Sequence, residues 1–164
     1  MLKRPKGAPG TLVVLQHTSQ VLKGNPLGDP HVRSLAVWLP PGYPTSAKRY
    51  PVLYDLVGFT GSGLSHVGWK PFGDNVLERA ARLMNEGKMG AAIFVFPDCF
   101  TALGGNQYVN SSAIGSYADY LTRELIPFVD REFRTLASRE HRGCFGKSSG
   151  GYGAIVHAMK YSRY

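Results

Sequence analysis

The order of strand-like and helix-like segments constrains the fold of this chain more than any other feature. Short β-rich or apolar runs predict five strands, at residues 10–19, 33–40, 51–58, 91–98 and 141–146. Apolar residues at helical spacing predict three helices: one with Asp74 as N-cap and Gly87 as stop, one from Ile114 to Val129 with a kink at Pro127, and one after Gly151. Alternating strands and helices predict an α/β fold with a mostly parallel sheet, whose ligands bind beyond the carboxyl ends of the strands.

The length of the chain, 164 residues, fits one domain with its own core. We therefore expect a single α/β domain over residues 1–164. No apolar run reaches the roughly 18 to 20 residues of a membrane span, so no membrane partner is expected. The positively charged start is not followed by the apolar stretch of a signal peptide, which favours a cytoplasmic location.

The formal net charge of +8 raises the possibility of a nucleic-acid partner. Apart from Lys3, Arg4 and Lys6, however, the basic residues come singly or in pairs, with no basic and aromatic module of the kind that reads bases. Cys99 and Cys144 belong to no Cys-x-x-Cys pair and no zinc pattern. We therefore expect no nucleic acid, no metal and no cofactor, and we interpret Cys144, within an apolar strand, as a small buried residue in preference to a reactive thiol.

A serine with flanking glycines lies between the last predicted strand and the last predicted helix. Gly146, Lys147, Ser148, Ser149 and Gly150 fit the pattern G-x-S-x-G in the strand–turn–helix context that this motif requires. So sharp a turn strains the backbone at the serine, and glycine on each side lets neighbouring backbones approach. The pattern predicts Ser148 as a nucleophile, Gly146 and Gly150 as the elbow glycines, and the Ser149 N–H as a donor to an oxyanion.

A second oxyanion donor is expected from the loop after an earlier strand. The segment "LVGFTGSG", residues 56–63, is the glycine-rich candidate so placed. We favour the backbone N–H of Phe59 over that of Thr60 as the donor. The alternative interpretation is an ordinary glycine-rich turn.

Several stretches together carry a resemblance to a known family. "LAVWLPPGY", "RYPVLYDLVGFTGSG", "NEGKMGAAIFVFPD", "YLTRELIPFVDREFR" and "GKSSGGYGA" occur in the order found in the esterase D and enterochelin esterase-like family of α/β-hydrolases. The resemblance implies an α/β-hydrolase fold with helices on both faces of the sheet. It also implies a serine carboxylic-ester hydrolase or acyltransferase with Ser148 as nucleophile and Phe59 and Ser149 as oxyanion donors. Val57 departs from the family, since many members have histidine before the glycine of this loop.

The nucleophile needs a histidine base that is oriented by a carboxylate, and in this fold both follow the serine in the chain. The residues after Ser148 include no acid, and their one histidine is His157. A helical rise puts His157 roughly 13 Å from Ser148, and an extended strand puts His141 roughly 23 Å away, so both are interpreted as structural or surface residues. His66 would need an arrangement foreign to the family. We therefore expect the amino-terminal part of an esterase, incomplete at its C-terminal side, whose acid and base lie beyond Tyr164.

Three functions stay open at this point. The first is hydrolysis of a small-molecule ester or thioester through an acyl-enzyme at Ser148, with loops 104–111 and 65–69 as candidate walls of the pocket. The second is an acyltransferase that passes the same acyl group to an alcohol. The third is a non-catalytic binding module with the α/β-hydrolase fold. The sequence indicates neither the substrate nor the oligomeric state.

Overall fold

Five strands form one sheet in the computed structural model, which describes residues 9–164. They are β1 (Thr11–Thr18), β2 (Val32–Leu39), β3 (Val52–Leu56), β4 (Ile93–Pro97) and β7 (Arg142–Gly146), in the spatial order β1-β2-β4-β3-β7. All five predicted strands are therefore present. Lys3, Arg4 and Lys6 lie outside the described residues.

The sheet is mixed, and its parallel part carries the ends of β3 and β7. Strand β2 pairs antiparallel with both β1 and β4, whereas β3 pairs parallel with β4 on one side and with β7 on the other. A separate two-stranded ladder joins β5 (Asn110–Ser111) to β6 (Gly115–Ser116). Because β3 and β7 are parallel neighbours, the loops that follow them meet at one edge of the sheet.

The first helix, α1 (Val76–Asn85), begins one residue later than predicted. Its N-cap is Asn75 and not Asp74, because the Asn75 side chain accepts a hydrogen bond from the backbone N–H of Glu78. The Glu78 carboxylate in turn accepts from the Asn75 N–H, which completes a capping box. Asp74 instead accepts a hydrogen bond from the exposed side chain of Arg82.

The second predicted helix is divided into three parts. It runs as α2 (Tyr117–Asp119), a π-helical segment (Tyr120–Leu125) and α3 (Ile126–Glu132). The N–H of Ile126 donates to the carbonyl of Leu121, five residues earlier. The sequence predicts a kink at Pro127; the π-helical segment ends two residues before this proline, in the region where the missing N–H interrupts the regular bonding.

Helices cover both faces of the sheet, as the sequence predicts. The larger apolar cluster lies on one face and includes residues from α2 to α3, among them Leu121 and Val129. The smaller cluster packs α1 against the other face through Leu77, Phe94 and Phe96. Helix α4 (Ser149–Lys160) follows β7 directly. None of the helices within residues 9–164 is long and apolar enough to cross a bilayer.

Candidate active site

The turn between β7 and α4 is the most constrained part of the backbone. Strand β7 ends at Gly146 and α4 begins at Ser149, which leaves Lys147 and Ser148 to reverse the chain. Ser148 has φ 57° and ψ −124°, a backbone conformation that residues other than glycine rarely adopt. A residue held there costs about 1 to 3 kcal/mol, which the surrounding structure must supply.

The two predicted elbow glycines are required by the close approach of β3. A Cβ atom placed on Gly146 or on Gly150 would overlap the carbonyl oxygen of Leu56 at the end of β3. Both positions therefore exclude any side chain, because backbone atoms cannot move aside as a flexible side chain could. The fit of β7 and α4 against β3 holds Ser148 in its strained conformation.

The loop after β3 lies beside Ser148. A Cβ atom on Gly58 would lie 3.6 Å from the Cβ of Ser148 and 3.5 Å from the Lys147 carbonyl oxygen. The N–H of Thr60 is already occupied, because it donates to the Gly104 carbonyl oxygen at 2.7 Å. Within residues 9–164, no oxygen accepts from the N–H of Phe59. Of the two candidate donors, Phe59 is therefore the one whose N–H is unoccupied within the described residues.

Ser149 lies at the first position of α4, where the N–H groups have no partner within the helix. Its side chain is buried and accepts a hydrogen bond from Nε2 of Gln107 at 3.1 Å. This contact brings loop 104–111 to the turn; its role as a wall of the pocket stays a prediction. The ring of Phe59 also lies against Gly105 of the same loop.

Tyr108 joins these segments, and sequence analysis did not identify it. Its hydroxyl donates to the carbonyl oxygen of Val57, and its ring fills the space beside Gly153 of α4. Tyr108 has φ 60°, and burial raises the pKa of its hydroxyl above the ordinary value. Val57 is itself buried, and its backbone carbonyl accepts this bond.

The histidines considered as bases have other partners. His157 is fully buried, and its Nε2 donates to the Tyr108 carbonyl oxygen. His141 is exposed and hydrogen-bonds to Ser138. The Nδ1 atom of His66 lies 2.7 Å from Oδ2 of Asp55, a buried carboxylate in β3 that sequence analysis did not identify. Within residues 9–164, no histidine or carboxylate hydrogen-bonds to Ser148.

Comparison with known proteins assigns the fold and the family. The family model described as "Putative esterase" matches residues 30–163. The chain belongs to this esterase family. It is 32% identical over 131 residues to "Esterase Rv1288" of Mycobacterium tuberculosis (strain ATCC 25618 / H37Rv), a match that covers 76% of this chain and 25% of that protein.

Solved structures agree with this family assignment at the level of the fold. A ferulic acid esterase from Anaeromyces mucronatus matches with a TM-score of 0.72 and 22% identity over 99% of this chain and 58% of its own. An S-formylglutathione hydrolase from Agrobacterium tumefaciens matches with a TM-score of 0.69 and 21% identity over 99% and 58%. The predicted α/β-hydrolase fold is thereby confirmed. The esterase-family chain spans about a quarter of the length of the curated relatives it matches.

The thiols of this esterase-family chain are structural in character. Cys99 is buried and Cys144 partly buried, and both are free. Burial raises the pKa of the Cys144 thiol to about 11 and that of Cys99 further, so both are protonated at neutral pH. Within the described part of the chain, no three His, Cys, Asp or Glu side chains are arranged to hold a metal ion.

Proposed function

We propose that this chain carries the nucleophile and the oxyanion hole of a serine carboxylic-ester hydrolase. The observation that carries the proposal is the conformation of Ser148, φ 57° and ψ −124°, at a strand-to-helix turn that only Gly146 and Gly150 permit. Strain of this kind persists where the surrounding structure requires it, and it occurs often at active sites. Membership of the esterase family supports the same reaction.

The reaction proceeds through an acyl-enzyme. The Ser148 Oγ attacks the ester carbonyl carbon, the bond to the alcohol oxygen breaks, and the alcohol leaves with a proton. Water then attacks the acyl-enzyme and releases the carboxylic acid. Both steps require a histidine base and a carboxylate that orients it, and no described residue is assigned to either role.

The backbone N–H groups of Phe59 and Ser149 form the oxyanion hole in this proposal. The N–H of Ser149 lies at the positive end of α4, and that of Phe59 lies next to Gly58, which faces Ser148. The hydrogen bond from Thr60 to Gly104 removes the competing donor. One such donor typically contributes about 2.7 to 4 kcal/mol to stabilisation of the transition state.

The substrate class is a small ester or thioester. Structural neighbours named as ferulic acid esterases and as S-formylglutathione hydrolases support this class without selecting a member. A cytoplasmic location is part of the proposal, and the two free thiols, Cys99 and Cys144, are consistent with a reducing compartment.

A fluorophosphonate probe tests the proposal on the full-length gene product. We expect covalent labelling at Ser148, mapped by peptide mass spectrometry, and loss of labelling in Ser148→Ala. The matched control is Ser162→Ala, at an exposed serine after the end of α4, which leaves labelling unchanged. Failure of the wild-type protein to label at Ser148 would contradict the proposal and would favour the non-catalytic binding module. Product analysis with a competing alcohol separates hydrolysis from acyl transfer.

A further inference from the structure

Asp55 is a buried carboxylate in the middle of the sheet. It lies in β3 opposite Phe145 of β7 and is 1% exposed. Side chains alternate along a strand, so Asp55 shares a face with Leu53, which packs against the apolar cluster that contains Phe94. A buried carboxylate costs several kcal/mol unless it is paired. Its presence on an apolar face therefore calls for a reason.

His66 is the partner of this carboxylate. Its Nδ1 lies 2.7 Å from Oδ2 of Asp55, and within residues 9–164 the other oxygen, Oδ1, has no hydrogen-bond partner. In this pair Nδ1 is the donor and the Asp55 carboxylate oxygen the acceptor. His66 ends a short 3-10 turn, Gly63–His66, and is partly exposed. The hydrogen bond between His66 and Asp55 thus joins a surface loop to the sheet.

The pair closes the loop that carries the Phe59 N–H. Asp55 lies just before this loop and His66 at its far end, so their bond joins the two ends of the segment 56–65. Between these ends the loop has two further attachments, from Thr60 to Gly104 and from Tyr108 to Val57. Gly63 packs directly on the backbone of Phe96 at the end of β4.

We propose that Asp55 and His66 are positioning residues that hold the loop 56–65 so that the Phe59 N–H faces the oxyanion. This inference rests on the proposed function of Ser148. A hydrogen-bond donor acts on a transition state only when it is aimed at the developing charge, and a displacement of about 1 Å can lower a rate by about 100-fold. The pair anchors the loop at its base, while Thr60 and Tyr108 anchor it nearer the donor.

Two amide variants of His66 test the inference. In His66→Asn the amide nitrogen is as many bonds from the Cα as Nδ1 is, so an N–H is kept for Asp55. In His66→Gln the nitrogen is one bond further away, at the position of Nε2, and the bond to Asp55 is lost. Because the two variants carry the same amide group, a general loss of stability from replacing the imidazole would affect both alike. His141→Ala, at an exposed histidine, is a second control.

The first measurement is amide hydrogen exchange at Thr60, which needs no catalysis. Its N–H is protected by the bond to Gly104, so its exchange rate reports opening of the loop. We expect exchange in His66→Gln to be faster than in the wild type by about tenfold or more, while His66→Asn and His141→Ala stay within about threefold of the wild type. Equal exchange in the Asn and Gln variants would overturn the inference.

The second measurement is the kinetics of fluorophosphonate labelling at Ser148. We expect His66→Gln to lower the maximal labelling rate by about 10 to 100-fold, with little change in the probe concentration that gives half of that rate. His66→Asn should keep most of the labelling rate of the wild type, a difference from His66→Gln that a merely structural role would not predict. If the wild type does not label, the proposed function fails and exchange at Thr60 alone decides whether the pair holds the loop. If labelling is unchanged in His66→Gln, the positioning role is wrong.

Discussion

The Nε2 atom of His157 lies 2.8 Å from the carbonyl oxygen of Tyr108 and joins α4 to the loop before β5. The imidazole also packs against the rings of Tyr161 and Tyr164. Burial lowers the pKa of His157, while the bond to the Tyr108 carbonyl acts weakly in the opposite direction. At neutral pH the ring is therefore uncharged in the folded protein, and in this form it attaches α4 to the loop.

Stability should fall as the medium is acidified below neutral pH. The pKa of a histidine in the unfolded chain is about 6.5, so below that pH the unfolded state binds a proton that folded His157 does not. The free energy of unfolding then becomes smaller as the pH is lowered, by up to about 1.4 kcal/mol per pH unit. Urea unfolding at three pH values between about 5.5 and 7.5 measures this slope.

The control for this experiment is His157→Gln, whose side-chain amide can donate to the same carbonyl without titrating. Protonation of the carboxylates affects both proteins alike and cancels in the comparison. We expect the pH dependence of the free energy of unfolding to be shallower in the variant. Equal slopes in the two proteins would show that His157 does not cause the effect.

Alanine at Gly150 should prevent the turn from forming. On helix propensity alone, alanine for glycine within α4 would stabilise the protein by about 1 kcal/mol. The new Cβ would, however, overlap the Leu56 carbonyl oxygen, which cannot move without breaking β3 from β7. We expect a loss of more than about 3 kcal/mol, measured by urea unfolding. Gly90→Ala, at a position with open space around it, is the control and should be close to neutral.

Removal of the Tyr108 hydroxyl should destabilise the loop after β3. Tyr108→Phe keeps the ring that packs beside Gly153 but leaves the buried carbonyl oxygen of Val57 without its donor. An unsatisfied buried carbonyl costs about 1 to 3 kcal/mol, and thermal and urea unfolding should show a loss in this range. Tyr152→Phe removes an exposed hydroxyl and serves as control. Equal effects of the two substitutions would show that the bond to Val57 contributes nothing.

The sequence predicts the parts of this fold that are determined locally. Each of the five main strands is a short run bounded by glycine, proline or polar residues, and such patterns need no tertiary information. The G-x-S-x-G motif predicts the strained turn because only glycine at Gly146 and Gly150 allows the backbones to approach. Assignment of Ser148, Phe59 and Ser149 to catalysis stays a prediction.

The features that the sequence does not predict depend on distant contacts. The bond from Tyr108 to Val57 joins positions 51 residues apart, and no local pattern marks a tyrosine with φ 60°. Asp55 interrupts an apolar run, which is a signal that could have been noticed, but its partner His66 follows only from the path of the loop. The N-cap at Asn75 is one residue from its predicted place, since Asp74 and Asn75 are both suitable types and the capping box forms between Asn75 and Glu78.

The variant Ser148→Gly should be more stable than the variant Ser148→Ala. Ser148→Ala and Ser148→Gly both remove the hydroxyl, but only glycine adopts φ 57° and ψ −124° without strain. Relief of about 1 to 3 kcal/mol of strain exceeds the cost of about 0.5 to 1 kcal/mol for the greater freedom of glycine in the unfolded chain. We therefore expect the glycine variant to have the higher free energy of unfolding, by about 1 kcal/mol, in urea titrations at one pH. An alanine variant as stable as the glycine variant would mean that the surrounding backbone does not strain this position, and the main physical argument for Ser148 as a nucleophile would be lost.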